Sequence, residues 1–127
     1  YVSNESGRDE VYVRAFPTPG APVMISSGGG REPRWAASGR EVFHRGEKGM
    51  VAVAVTTSGS VRVGRRTILF DDKPYVAHGS GAAYDVHPDG RGFVMVRRGT
   101  EGPQVVVVLN LFDQPHGALA RRSKSRE

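Results

Sequence analysis

Apolar residues fall in short runs separated by turn residues. The runs are Tyr1–Ser3, Glu10–Phe16 (EVYVRAF), Pro22–Ser26 (PVMIS), Pro33–Ala36 (PRWA), Glu41–Arg45 (EVFHR), Met50–Val55 (MVAVAV), Thr67–Phe70 (TILF), Ala82–Val86, Phe93–Arg97 and Gln104–Phe112. Each has strand length, and glycine, proline or aspartate punctuates nearly every gap. No window carries a sustained 3.6-residue period, and Pro115 and Gly117 argue against a long helix after Phe112. The pattern predicts an all-β chain of antiparallel meanders.

The runs repeat. Setting Gly39 over Gly90 places Trp35 over Val86, Ser38 over Asp89, Arg40 over Arg91 and Val42 over Phe93. The runs Glu10–Arg14, Met50–Ala54 and Gln104–Val108 occupy matching places after their own turns. The spacing is roughly 40 residues for one interval and about 50 for the next, the longer one holding a glycine-rich insertion from Lys73 to Gly81. About four strands per repeat is the signature of a propeller blade, which buries both faces only by stacking on neighbours.

The stretch Glu32–Phe43 (EPRWAASGREVF) resembles the TolB-like β-propeller repeat, whose signature is Pro-x-Trp-Ser-Pro-Asp-Gly-Arg followed by an apolar strand. Pro33, Trp35, Ser38 and Gly39 carry the first copy, with Ala37-Ser38-Gly39 in place of Pro-Asp-Gly. Pro88, Asp89 and Gly90 carry the second, with Val86 at the tryptophan position. The ending Val105–Phe112 is similar to the last blade of bacterial proteins in which such a propeller follows a kinase or transcription-regulator domain, although Leu111 replaces the tryptophan usual there.

The resemblance implies a partial blade over residues 1–30, a blade over 31–72 and a terminal blade with a loop insertion over 73–114, and the charge of residues 115–127 reads as a basic, disordered tail. It also implies a non-catalytic protein- or peptide-binding, scaffold or sensor module of a larger bacterial protein, and favours a periplasmic or extracytoplasmic setting over the cytoplasmic alternative. The alternative it carries is an accessory propeller that gates the substrate of a serine peptidase domain. About ten strands make between two and three blades, fewer than the four to eight or so of a closed ring. The chain, which starts at Tyr1 without a signal-peptide pattern, therefore reads as a piece of a larger propeller whose open edges invite self-association.

Composition changes this picture little. Glycine numbers 17 of 127 residues, about twice the roughly 7% share of ordinary proteins, as a chain of tight turns requires. The mean hydropathy of −0.39 is that of a soluble domain. No apolar run approaches the roughly 20 residues of a spanning helix. The net charge is +5, and Arg121, Arg122, Lys124 and Arg126 concentrate much of the excess in a solvated chain end. The body has no basic stripe interleaved with aromatics, so nucleic acid is not an expected partner. The absence of cysteine removes disulfides, zinc–thiolate sites and cysteine nucleophiles, and leaves the compartment open.

The stretch Asp85–Val96 (DVHPDGRGFVMV) packs a histidine, an aspartate and an arginine into one turn. Asp-Gly between two apolar runs reads as a hairpin corner, with Pro88 presetting its entry. His44, His78, His87 and His116 are scattered without metal-ligand spacing, and Asp71-Asp72 lacks a calcium loop around it. Ser80, in Gly79-Ser80-Gly81, lacks the spacing of a nucleophile elbow. Gly28–Arg31 lacks the Gly-Lys-Ser/Thr of a phosphate loop and reads as a connector between blades. No catalytic, cofactor or metal site is expected. Trp35 is expected to pack between blades, in a core with Phe43, Val51, Val53, Phe70, Phe93, Met95, Val106 and Val108.

Overall fold

The computed structural model describes residues 1–79 and 81–109. Expectations for Ser80, for Asn110–Phe112, for His116 and for the basic residues Arg121, Arg122, Lys124 and Arg126 lie outside the described residues. Ten strands are present among the described residues and no helix: β1 (Val2–Ser3), β2 (Glu10–Val13), β3 (Val23–Met24), β4 (Arg31–Trp35), β5 (Glu41–Gly46), β6 (Gly49–Thr56), β7 (Arg62–Phe70), β8 (Tyr84–Val86), β9 (Gly92–Gly99) and β10 (Gly102–Leu109). The chain is all-β, and every strand pair is antiparallel.

Three sheets form, in the orders β1-β2-β3, β4-β5-β6-β7 and β8-β9-β10. Two hairpin corners repeat in hydrogen-bond detail. At the first, Ala36 N–H donates to the Glu41 carbonyl and Gly39 N–H to the Ala36 carbonyl. At the second, His87 N–H donates to the Gly92 carbonyl and Gly90 N–H to the His87 carbonyl. The flanking pairs are Trp35 with Val42 and Val86 with Phe93, the alignment expected from sequence.

Pro88 and Asp89 sit at the centre of the second turn, where a preset φ and a backbone-bonding carboxylate suit them. Asp89 Oδ1 accepts from Arg91 N–H at 2.8 Å, and Ser38 Oγ accepts the equivalent Arg40 N–H at 3.3 Å. Gly39 and Gly90 follow with φ of 68° and 73°, a left-handed backbone that glycine adopts without a Cβ clash. The glycine's positive φ thus falls just after the central pair of the turn.

A second hairpin type also recurs. Gly46 pairs with Gly49 across Glu47-Lys48, and Gly99 with Gly102 across Thr100-Glu101. At Gly49 the Phe70 carbonyl occupies the place a Cβ would need.

The inner strands β5 and β6 of the middle sheet are buried on both faces, whereas the outer strand β7 is mostly exposed. Cross-strand partners share a face, and so Val42 and Val53 pack with Val11 and Ile25 of the first sheet. One residue further along, Phe43 and Ala52 pack with Tyr84, Phe93, Met95 and Val108 of the third. Phe93 is the hub of that cluster, with Phe43 edge-on at 4.9 Å and Phe70 at 5.8 Å between ring centroids. Offset and edge-on pairs of this kind add to plain area burial.

Of the expected core, Phe43, Val53, Phe93, Met95 and Val108 are buried, and Val51, Phe70 and Val106 are half-buried against the two clusters. Trp35 is not core: it is 47% exposed. It ends β4, an edge strand with no further strand beyond it among the described residues to cover the ring.

The glycine-rich insertion leaves and rejoins one edge of β9. Tyr75 bridges to Arg97, Val76 N–H donates to the Val96 carbonyl, and Tyr84 pairs with Met95.

Candidate binding cleft

The edge strands β1 and β4 face each other across the gap between the first and middle sheets. A cleft of about 260 Å³ opens there, lined by Tyr1, Val11, Tyr12, Val13, Arg14, Pro33, Trp35 and Val42. The Tyr1 and Tyr12 rings stack at 5.7 Å, and Tyr1 is 53% exposed. Trp35 and Pro33 form the opposite wall, two residues apart on a strand and therefore on one face. Pro33 is tolerated because β4 is an edge strand and needs no donor on its open side.

Pro33 and Tyr1 also border a second cavity of about 470 Å³, which continues along β4 past Arg31 and Glu32 to His78 and Ala82. Arg31, Glu32 and Asp9 in turn border a third, of about 390 Å³, reaching Gly28–Gly30, Glu47 and Asp72. The three form a track along β4, aromatic at the Trp35 end and mixed in charge at the other.

A buried polar cluster holds the charged end in shape. Arg45 on β5 donates from Nε to Glu32 Oε2 at 3.2 Å, from Nη1 to Asp72 Oδ2 at 3.0 Å and from Nη2 to the Val76 carbonyl at 2.6 Å. Glu32 also accepts the N–H groups of His78 and Ala83, at 2.9 Å and 2.8 Å. Its own carbonyl accepts the Tyr84 hydroxyl at 2.6 Å. Burial, with the Glu32 charge nearby, pushes the Tyr84 hydroxyl pKa well above the ordinary tyrosine value. Tyr84 therefore stays a neutral donor.

Glu32 has a φ of 51° and sits where the β4–β5 register shifts. Such a backbone costs a non-glycine residue on the order of 1–3 kcal/mol. The bonds to its carboxylate and carbonyl hold it there.

A second buried acid, Glu10, accepts from Ser26 Oγ, from Gly29 N–H at 2.9 Å and from Arg8 Nε at 3.0 Å. Burial raises its pKa, but these donors and the Arg8 charge outweigh it and leave the net shift downward. His44 is 2% exposed, and neither ring nitrogen meets a hydrogen-bond partner in good geometry. Burial holds its pKa below the ordinary histidine value, against smaller opposing effects of the Arg45 backbone and the Glu10 charge.

The repeat residues divide between two places. Ser38, Gly39, Pro88, Asp89 and Gly90 lie at the two hairpin corners, where His87 Nδ1 also approaches Asp89 Oδ1 at 2.8 Å in the open. Only Pro33 and Trp35 reach the cleft. Among the described residues no three His, Asp or Glu side chains gather into a metal-holding group, and no helix is long and apolar enough to cross a membrane.

Sequence reasoning missed Tyr1, Tyr12, Glu32, Arg45 and Asp72. The signal available for Arg45 was a charged residue that ends the strand-length run Glu41–Arg45 (EVFHR) just after the apolar pair Val42-Phe43. Comparison with family models, with curated proteins and with solved structures finds no match.

Proposed function

We propose that this chain is a segment of a TolB-like β-propeller acting as a non-catalytic protein- or peptide-binding module of a larger bacterial protein. The observation that carries the binding reading is the exposure of Trp35. A large apolar ring, 47% exposed, stands across an open cleft from Tyr1 and Tyr12. Aromatic walls of this kind supply contact area at little entropic cost, and tryptophan and tyrosine are favoured anchors of recognition sites.

The track beyond Pro33 suits an extended peptide. Its aromatic end would hold an apolar or proline side chain, and Arg31 and Asp9 would meet charged ones further along. The unpaired edge of β4 offers main-chain donors and acceptors for strand addition. The repeated hairpin corners and the doubly covered middle sheet support the propeller reading. The carboxylates of Glu32 and Glu10 are each matched to donors within the fold, as structural groups are.

Trp35 is the single tryptophan, so its emission reports directly on the cleft. Titration with extended peptides that pair a proline or aliphatic residue with charged neighbours should shift that emission saturably. Trp35→Phe should keep binding, measured by calorimetry, and Trp35→Ala should lose it. A peptide library that leaves Trp35 emission unchanged throughout would remove the reading.

A further inference from the structure

The ladder fixes which main-chain groups the open edge of β4 presents. Bonded and non-bonded pairs alternate along antiparallel strands. Ala36 N–H donates to the Glu41 carbonyl, so that pair is bonded. The adjoining pair, Trp35 with Val42, is then non-bonded, and Arg34 with Phe43 is bonded again. The N–H and carbonyl of Trp35 therefore point away from β5, toward the side of the sheet that has no further strand. A trans peptide sets its carbonyl opposite the following N–H, so the inward Arg34 N–H turns the Pro33 carbonyl outward as well. Pro33 has no N–H to add. From Pro33 to Trp35 the edge offers one donor and two acceptors.

The third sheet closes the equivalent donor. Val86, on the edge strand β8, stands at the Trp35 position, and its N–H donates to Asp85 Oδ1 at 2.9 Å. On β4 the preceding residue is Arg34, whose side chain has no acceptor. Of these two edge amides, the one beside the aromatic cleft is left uncapped.

We infer that the peptide enters the cleft as an added antiparallel strand registered on Trp35, recognised through two of its own N–H groups two residues apart. The inference rests on the peptide-binding reading and states how the peptide lies. One peptide residue exchanges two hydrogen bonds with Trp35, and the residue opposite Pro33 donates one to the Pro33 carbonyl. Cross-strand partners share a face, so both side chains stand on the side of Trp35 and Pro33, toward Tyr1 and Tyr12. Proline lacks the donor and is excluded at both positions. It is admitted only at the residue between them, whose N–H points away from β4. The side chains held at the aromatic end are thereby narrowed to apolar residues other than proline. The cavity bordered by Tyr1, Pro33 and Arg34 gives the added strand its room.

The probe is a capped heptapeptide, lysine-serine-valine-lysine-valine-serine-glutamate, titrated into the full chain by Trp35 emission and calorimetry. N-methylation of either valine amide should weaken binding about tenfold or more, and N-methylation of the central lysine should leave it unchanged. Exchange of the Trp35 amide, followed by nuclear magnetic resonance, should slow on saturation more than that of Arg34, which is already bonded to β5. Pro33→Val keeps an apolar wall and restores an edge donor, so it should tighten binding roughly two- to tenfold. The N-methyl scan uses the unaltered chain and stands whether or not Pro33→Val folds. Full binding by peptides methylated at both valines overturns the inference and leaves the cleft a side-chain site. Equal losses at all three amides, or a folded Pro33→Val chain that binds no tighter, overturn it too. A heptapeptide that leaves Trp35 emission unchanged also overturns it, while library peptides that still shift that emission keep the peptide-binding reading.

Discussion

Arg45 Nε lies 3.2 Å from Glu32 Oε2, with both side chains almost wholly out of water. The pair joins β5 to the strained turn of β4, and Asp72 and Val76 complete the guanidinium's acceptors. Removing one partner of a buried ion pair strands the other charge, which typically costs about 3–5 kcal/mol. Arg45→Ala should lose stability of that order in urea unfolding. Arg45→Lys should recover little of it, since a single ammonium cannot reach the three divergent acceptors the planar fork holds.

Phe93 and Trp35 should respond in opposite ways to truncation. Phe93 is fully buried among Phe43, Phe70 and Tyr84, and Phe93→Ala should cost about 3–5 kcal/mol. Trp35→Ala removes a half-exposed ring and should change stability by no more than about 1 kcal/mol. Equal losses for the two, measured as shifts in denaturation midpoint at constant slope, would contradict the placement of both rings.

Two glycines should separate backbone strain from steric exclusion. Gly90 has a φ of 73° and open space where a Cβ would stand, so Gly90→Ala should cost only the left-handed penalty of about 1–2 kcal/mol. Gly49 has a φ of 133° and the Phe70 carbonyl in the Cβ position. Gly49→Ala must therefore move β7 away from β6, and its loss should exceed that of Gly90→Ala in thermal unfolding.

His44 should make the fold acid-sensitive. Burial lowers its pKa in the folded chain, so the unfolded chain binds the extra proton more readily. Stability is then highest above the ordinary histidine pKa of about 6.5 and falls as pH drops below it. His44→Leu should flatten the curve between about pH 5 and 7 and, by deleting two unpartnered nitrogens, leave stability at neutral pH equal or higher. Glu10, whose pKa is also lowered, contributes stability at neutral pH that is lost only as the pH falls through the carboxylate range. The two are resolved by unfolding series at stepped pH.

The corners and the apolar pairs were legible because they are local. Pro88-Asp89-Gly90 and Ser38-Gly39 fix their turns within a few residues, and alternation along Met50–Val55 fixes which side chains share a face. The start of β7 was hidden because Arg62, Gly64, Arg65 and Arg66 read as a turn. Those residues suit an outer edge strand, where charge discourages further pairing. The exposure of Trp35 was hidden for a different reason: alternation assigns a face but does not say whether another sheet covers it. The Glu32–Arg45–Asp72 cluster joins three separate elements, and no spacing rule brings those residues together.

A sheet enclosed by two others cannot open alone. For β5 and β6 to expose their amides, the contacts with both neighbouring sheets must be surrendered together, whereas the outer sheets each give up one interface. Protection against hydrogen exchange should therefore form a gradient, with the amides of Val42, Phe43, Ala52 and Val53 exchanging last and those of β1 and β10 first. In such a nearest-neighbour stack the centre inherits its persistence from its flanks. A substitution at either end would reach the middle as lost cooperativity before it appeared as lost structure.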